Sequence, residues 1–282
     1  MNSPVVVGID GSSASLEALR WAVDYADGCR APLRLVYASG LSMSHGPRTT
    51  ERAFSERALN ARSAEILAEA EKLALESTAQ PGRIEIATTV AEHEPAVSLL
   101  AHARGANMLV VGAQGIDAIE RGVLGSVSVA VADRADCPVT IVPTAPLGHP
   151  SPGRLPVVVG VDGTPSGKPA LEFAFAEARR RVVGVVAVTA WFTSFRHSSR
   201  REARAHTIAR QARVLADPVL RHPAVPVERV VLEGRPARHL LHEADGAQLL
   251  VLGRRSPTPP GAVTHAVLPW TPVPVIIVGR PR

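Results

Sequence analysis

The sequence predicts an α/β protein written twice, each half a doubly wound parallel sheet with helices on both faces. Three observations carry this. Short β-branched apolar runs alternate with stretches of helical spacing, the pattern of βαβ units. The pattern recurs: Val5-Val6-Val7-Gly8-Ile9-Asp10-Gly11-Ser12 returns as Val157-Val158-Val159-Gly160-Val161-Asp162-Gly163-Thr164. A stretch dense in proline and glycine, 145–155, separates the copies and cannot continue a strand or helix.

In the first copy, runs at 4–10, 33–38, 84–89, 108–112 and 139–142 are short and bounded by Gly or Pro. They read as buried strands. A helix begins at Ser13, with Leu16, Leu19, Ala22 and Val23 on one face. A longer helix spans about 51–75, a third covers Pro95 to Arg104, and a fourth follows Ser126. In the second copy the register of Val5/Val157 is an offset of 152, kept through Val36/Val188. It falls to 141 at Pro95/Pro236 and to 136 at Cys137/Val273, so the second copy is shorter by two deletions. The expected domains are 1–144, a linker at 145–155, and 156–282.

Composition narrows the function classes. The 282 residues are 46% hydrophobic but only 4% aromatic, too few rings for a base-stacking platform. Net charge is +5 and the pI about 10.0, yet apart from Arg179-Arg180-Arg181 and Arg200-Arg201 the basic residues are scattered among acids, which argues against a nucleic-acid footprint. No apolar run reaches the roughly 18 residues of a membrane span, and the N-terminus enters a strand without a leader pattern. Cys29 and Cys137 lack metal spacing and read as reduced structural thiols of a cytoplasmic protein.

The chemistry concentrates at Gly112-Ala113-Gln114-Gly115, nine residues, then Gly125-Ser126-Val127-Ser128. It starts where the run Met108-Leu109-Val110-Val111 stops and ends where a helical pattern starts. Glycine lets a backbone approach a ligand closely. Amides at a helix start suit an anion. The layout is that of a phosphate cradle. It is not a Walker loop, since Gly163-Thr164-Pro165-Ser166-Gly167-Lys168-Pro169 has the wrong spacing and a proline where a hydroxyl is needed. It also lacks the G-x-G-x-x-G of dinucleotide folds. Asp10, at the end of the first strand, would face Gly112 if the first and fourth strands adjoin.

These residues resemble the universal stress protein family over nearly the whole chain. The marks are V-G-I-D-G-S at the first strand, the G-x2-G-x9-G-S loop with Val127-Ser128, and D-C-P-V-T-I-V at 136–142. The resemblance implies strand order 3-2-1-4-5 in each domain and an ATP site in the first. Gly8 and Ala38 would border adenine, and Asp10 the ribose or a phosphate-bound Mg. Gly112, Ala113, Gln114 and Gly115 would wrap the phosphates. Gly125, Ser126, Val127 and Ser128, with both serine hydroxyls, would complete the anion site. The resemblance also implies that final strands pair across a two-fold axis. The two domains would then pair with each other, and two chains could form a homodimer. Tyr37 departs from the His that relatives often carry there.

The second copy keeps Asp162 but follows Gly253 with Arg254-Arg255-Ser256. Gly253 to Gly261 is eight positions, against thirteen from Gly112 to Gly125, and Pro257, Pro259 and Pro260 remove donors. ATP is expected to bind there weakly or not at all. Arg254-Arg255 could attract an anion but reads rather as a solvated turn, while Arg121 in the first loop reads equally as a phosphate contact or a solvated arginine. No nucleophile, base and orienter assemble anywhere, and the binding half of ATP hydrolysis is all the sequence displays. The expectation is an ATP-binding, stress-responsive regulatory protein without dedicated catalysis, acting on a protein partner. The alternatives are a slow ATPase, a protein phosphorylating itself on Ser126 or Ser128, and a nucleotide-free scaffold.

Overall fold

The computed structural model describes residues 3–40, 50–78, 82–115, 124–144, 155–192, 199–254 and 262–279. The chain divides into two compact units, Met1–Thr144 and Ala145–Arg282.

In the first unit the strands are β1 (Val5–Ile9), β2 (Leu33–Ala38), β3 (Ile86–Ala91), β4 (Met108–Gly112) and β5 (Val139–Val142). They pair in parallel in the order β3-β2-β1-β4-β5. The helices are α1 (Ser13–Cys29), α2 (Thr50–Ser77), α3 (Pro95–His102) and α4 (Ser126–Arg134). The central strands are covered on both faces, so inward and outward residues alike are apolar. Val5, Val6, Val7, Met108, Leu109 and Val110 are all fully buried. β3 lies two residues beyond the 84–89 expected for it. Ile84 is buried below the strand, while pairing begins only at Ile86 with Leu33. As an edge strand, β3 exposes Ala87, Thr88 and Val90, and its hydrophobicity marks its position poorly.

Two local devices fix α1. The Ser12 hydroxyl accepts from the Ser15 amide at 3.1 Å and caps the start. The end is a left-handed Arg30 at φ 52°, whose amide reaches the Ala26 and Asp27 carbonyls.

The second unit repeats the plan. Its strands are β6 (Val157–Gly160), β7 (Val185–Trp191), β8 (Val227–Glu233), β9 (Leu249–Gly253) and β10 (Val275–Val278). Their parallel order is β8-β7-β6-β9-β10. Its helices are α5 (Lys168–Arg181), α6 (Arg200–Arg221), α7 (Pro236–Ala244) and α8 (Ala262–Val267). The offset of 152 carries α1 onto 165–181, but Pro165–Gly167 forms a 3₁₀ turn and α5 starts only at Lys168. The helix end is copied: Val182 is left-handed at φ 57°, as its counterpart Arg30 is. Among the described residues no helix is long and apolar enough to cross a membrane.

In each unit the chain leaves the central strand toward one sheet edge and later returns to the other side. This reversal opens a crevice at the carboxyl ends of the strands.

Candidate functional site

In the first unit that crevice has a volume of about 450 Å³. β1 delivers Gly8 and Asp10, β2 delivers Ala38, β4 delivers Gly112, and the chain beyond β4 and at the start of α4 delivers the rest. Ten of the eleven residues expected at the site line it: Gly8, Asp10, Ala38, Gly112, Gln114, Gly115, Gly125, Ser126, Val127 and Ser128. Ala113 does not. Its side chain is buried, its amide donates to the Val142 carbonyl at 2.8 Å, and its carbonyl accepts the Gly125 amide at 2.9 Å. Ala113 therefore clasps the two ends of the cradle together instead of wrapping a ligand.

The glycines have different tasks. A Cβ on Gly112 would stand 2.7 Å from the Ala14 carbonyl carbon, so this glycine exists to let α1 lie against β4. A Cβ on Gly8 would meet Leu99 at 3.0 Å and Val111 at 3.2 Å. By contrast, the nearest atoms around a Cβ on Gly125 are the Ala113 carbonyl oxygen and Ser128 Oγ at 3.5 Å and the Gly115 amide nitrogen at 3.6 Å. That Cβ would fit sterically and enter the gap between the two halves of the cradle.

Asp10 stands at the floor. Its Oδ1 accepts from the Ser12 amide at 2.9 Å and the Ser12 hydroxyl at 2.6 Å. Its Oδ2 faces Gly115, 3.2 Å from where a Cβ would be. One oxygen is thus held by the turn while the other points at the cradle. Ser12 and not Asp10 caps α1, as its bond to Ser15 shows.

The role expected of the Ser128 hydroxyl changes. Ser128 is buried, and its Oγ donates to the Gly112 carbonyl at 2.7 Å. The hydroxyl braces the strand end, leaving the Ser128 amide for the crevice. The amides of Ser126, Val127 and Ser128 form the first turn of α4, where no intrahelical acceptor exists, and Gly125 caps it without a side chain. Among the described residues no Lys or Arg lines this crevice. An anion there would be held by main-chain dipoles.

Sequence reasoning missed one wall. Pro95 and Leu99 of α3, with Val36 and Val111, give the crevice an apolar side. A signal was present: Pro95 and Leu99 recur as Pro236 and Leu240 in the second copy. Among the described residues no three His, Cys, Asp or Glu cluster as a metal site.

In the second unit the equivalent crevice measures about 390 Å³ and is lined by Asp162, Arg210, Leu240, Leu252, Arg254 and Thr264, among others. Asp162 repeats the turn of Asp10, its Oδ1 accepting from the Thr164 amide at 2.8 Å and hydroxyl at 2.7 Å. The reading of Arg254 as solvated is corrected. It is 7% exposed, its amide donates to the Val278 carbonyl, and its guanidinium lies against Gly279, with Nη2 2.8 Å from a Cβ position there. Arg121, Arg255 and Pro257–Pro260 lie outside the described residues, as does the linker over 145–154.

Comparison with known proteins matches a model of the universal stress protein family to residues 1–143 and 154–279. A universal stress protein of Mycobacterium tuberculosis is 33% identical over 285 residues, spanning 97% of this chain and 96% of its own. The crystal structure of a universal stress protein from Archaeoglobus fulgidus covers 99% of this chain and 96% of its own at a TM-score of 0.72 and 16% identity, a likeness of fold. A universal stress protein crystallised in complex with cAMP is 34% identical across 51% of this chain, with a TM-score of 0.39.

Proposed function

The chain belongs to the universal stress protein family, and we propose that its first unit binds ATP as a regulatory ligand rather than as a substrate to be turned over. The observation that supports this most is the cradle itself. Gly115, Gly125 and the first turn of α4 face one another across a gap that a Cβ on Gly125 would enter. Helix-start amides and a glycine-rich strand end are the donors that phosphate oxygens need. The crevice volume falls in the usual range for small-ligand sites, about 300–1,000 Å³.

In this reading the apolar side made by Val36, Leu99 and Val111, bordered by Gly8 and Ala38, takes the adenine. Asp10 faces the ribose or, through Oδ2, a phosphate-bound Mg, an ion that takes one or two carboxylates together with phosphate oxygens. Gln114, Gly115, Gly125 and the amides of Ser126, Val127 and Ser128 hold the phosphates. The bound nucleotide then alters the surface around the cradle that a protein partner meets, as a ligand favouring one of two states does. For self-phosphorylation, Ser128 is poorly placed, since its buried hydroxyl already donates to Gly112. Ser126, exposed at the rim, is the hydroxyl that reading would require.

Isothermal titration of the whole chain with Mg-ATP tests the proposal. A saturable isotherm for the natural chain, lost in Gly125→Val, is expected. No heat from the natural chain would end it. The same titration with AMP and cyclic AMP ranks the phosphate forms. Labelled ATP incubated with purified protein decides between a resident ligand and a substrate.

A further inference from the structure

The second crevice carries chemistry that the first lacks. We infer that it is a separate site for a ribonucleoside monophosphate, with the Arg210 guanidinium holding the single phosphate. The apolar wall is conserved between the units. Val36, Leu99 and Val111 of the first correspond to Val188, Leu240 and Leu252 of the second, at offsets of 152, 141 and 141, and all six line their crevices. A flat apolar end of a ligand finds the same surface in both.

The polar end differs. In the first unit, Ile66 of α2 packs over Gly11, its Cδ1 3.3 Å from where a Cβ would be, and it does not line the crevice. In the second unit, the matching place over Gly163 is held by Arg210 of α6, whose Nε is 2.5 Å from the Cβ position. Arg210 lines the crevice beside Asp162. A cation thus replaces an aliphatic side chain over the turn that follows the central strand.

The main-chain donors that could cradle a longer phosphate chain are reduced. The Arg254 amide is bonded to Val278 just as its counterpart Ala113 is bonded to Val142 in the first unit, so the difference lies in the connection that follows. Five fewer residues separate Gly253 from Gly261 than Gly112 from Gly125 (eight positions against thirteen). A planar guanidinium binds one phosphate through two parallel N–H donors and needs no glycine loop. Asp162 lines the crevice as the counterpart of Asp10, in the same turn at the end of the central strand, and is the acceptor assigned here to the ribose hydroxyls. Base wall, ribose acceptor and one phosphate fork together describe a mononucleotide.

Titration of the whole Gly125→Val chain with AMP, ATP and inorganic phosphate tests this. AMP is expected to bind more tightly than ATP. Arg210→Ile, which restores the residue of the first unit on an exposed helix position, is expected to weaken AMP at least about tenfold, the loss of one charge-assisted bond. Arg210→Lys should recover part of it. An unchanged melting temperature in both variants shows that the fold is intact. AMP binding equally to the Arg210→Ile chain would overturn the inference, as would no AMP binding at all. Failure of the first site does not blur the result, because the natural chain would then give the same Arg210-dependent isotherm.

Discussion

At the scale of single residues, glycines that look alike in the sequence divide by what a methyl group would strike. Gly112→Ala drives a Cβ into the backbone of α1, so a loss of about 1–3 kcal/mol is expected from overpacking of this kind. Chemical denaturation measures it. Gly125→Ala meets only ordinary contacts, so its unfolding midpoint should match the natural chain while Mg-ATP binding weakens. If both variants unfold alike, the division of roles is wrong. The sequence located these residues because glycine at a strand end is visible in one dimension. It could not separate packing from binding, because that depends on Ala14 and Leu99, which come from other elements. The same holds for Ser128. A hydroxyl in a helix first turn reads as a ligand donor until its bond to Gly112, sixteen residues away, is seen.

At the scale of elements, strands and helix starts were readable and helix ends were not. The runs at 33–38, 108–112 and 139–142 coincide with β2, β4 and β5, since burial on both faces leaves an unbroken apolar signal. α1 and α5 end on left-handed Arg30 and Val182, where neither Gly nor Asn gives the usual warning. Val182 is β-branched, 88% exposed and at φ 57°, so it carries backbone strain without compensating burial. Val182→Gly is expected to stabilise the chain by about 1 kcal/mol, the cost of a Cβ in this conformation. A thermal melt showing no gain would mean the strain is relieved elsewhere. In the core of β4, Leu109→Ala should cost about 2–5 kcal/mol, since the side chain is fully buried.

At the scale of the whole molecule, a repeat was the most legible feature, because an offset can be counted. It carried the fold from one unit to the other with the same strand order. What it could not carry was equality of the crevices. Loss of a glycine, a shortened connection and the exchange of Ile66 for Arg210 separate them. Titration with Mg-ATP is therefore expected to give a single strong site per chain. Two equal sites would contradict the reading of both units.

The clasp between Ala113 and Gly125 is made of main chain alone. It is indifferent to which side chains occupy the cradle, so drift in sequence there can retune what is held without unfastening the rim. Only a substitution that deletes the amide, such as Gly125→Pro, unlatches it, and such a chain would separate the rim's contribution to recognition from that of everything mounted on it.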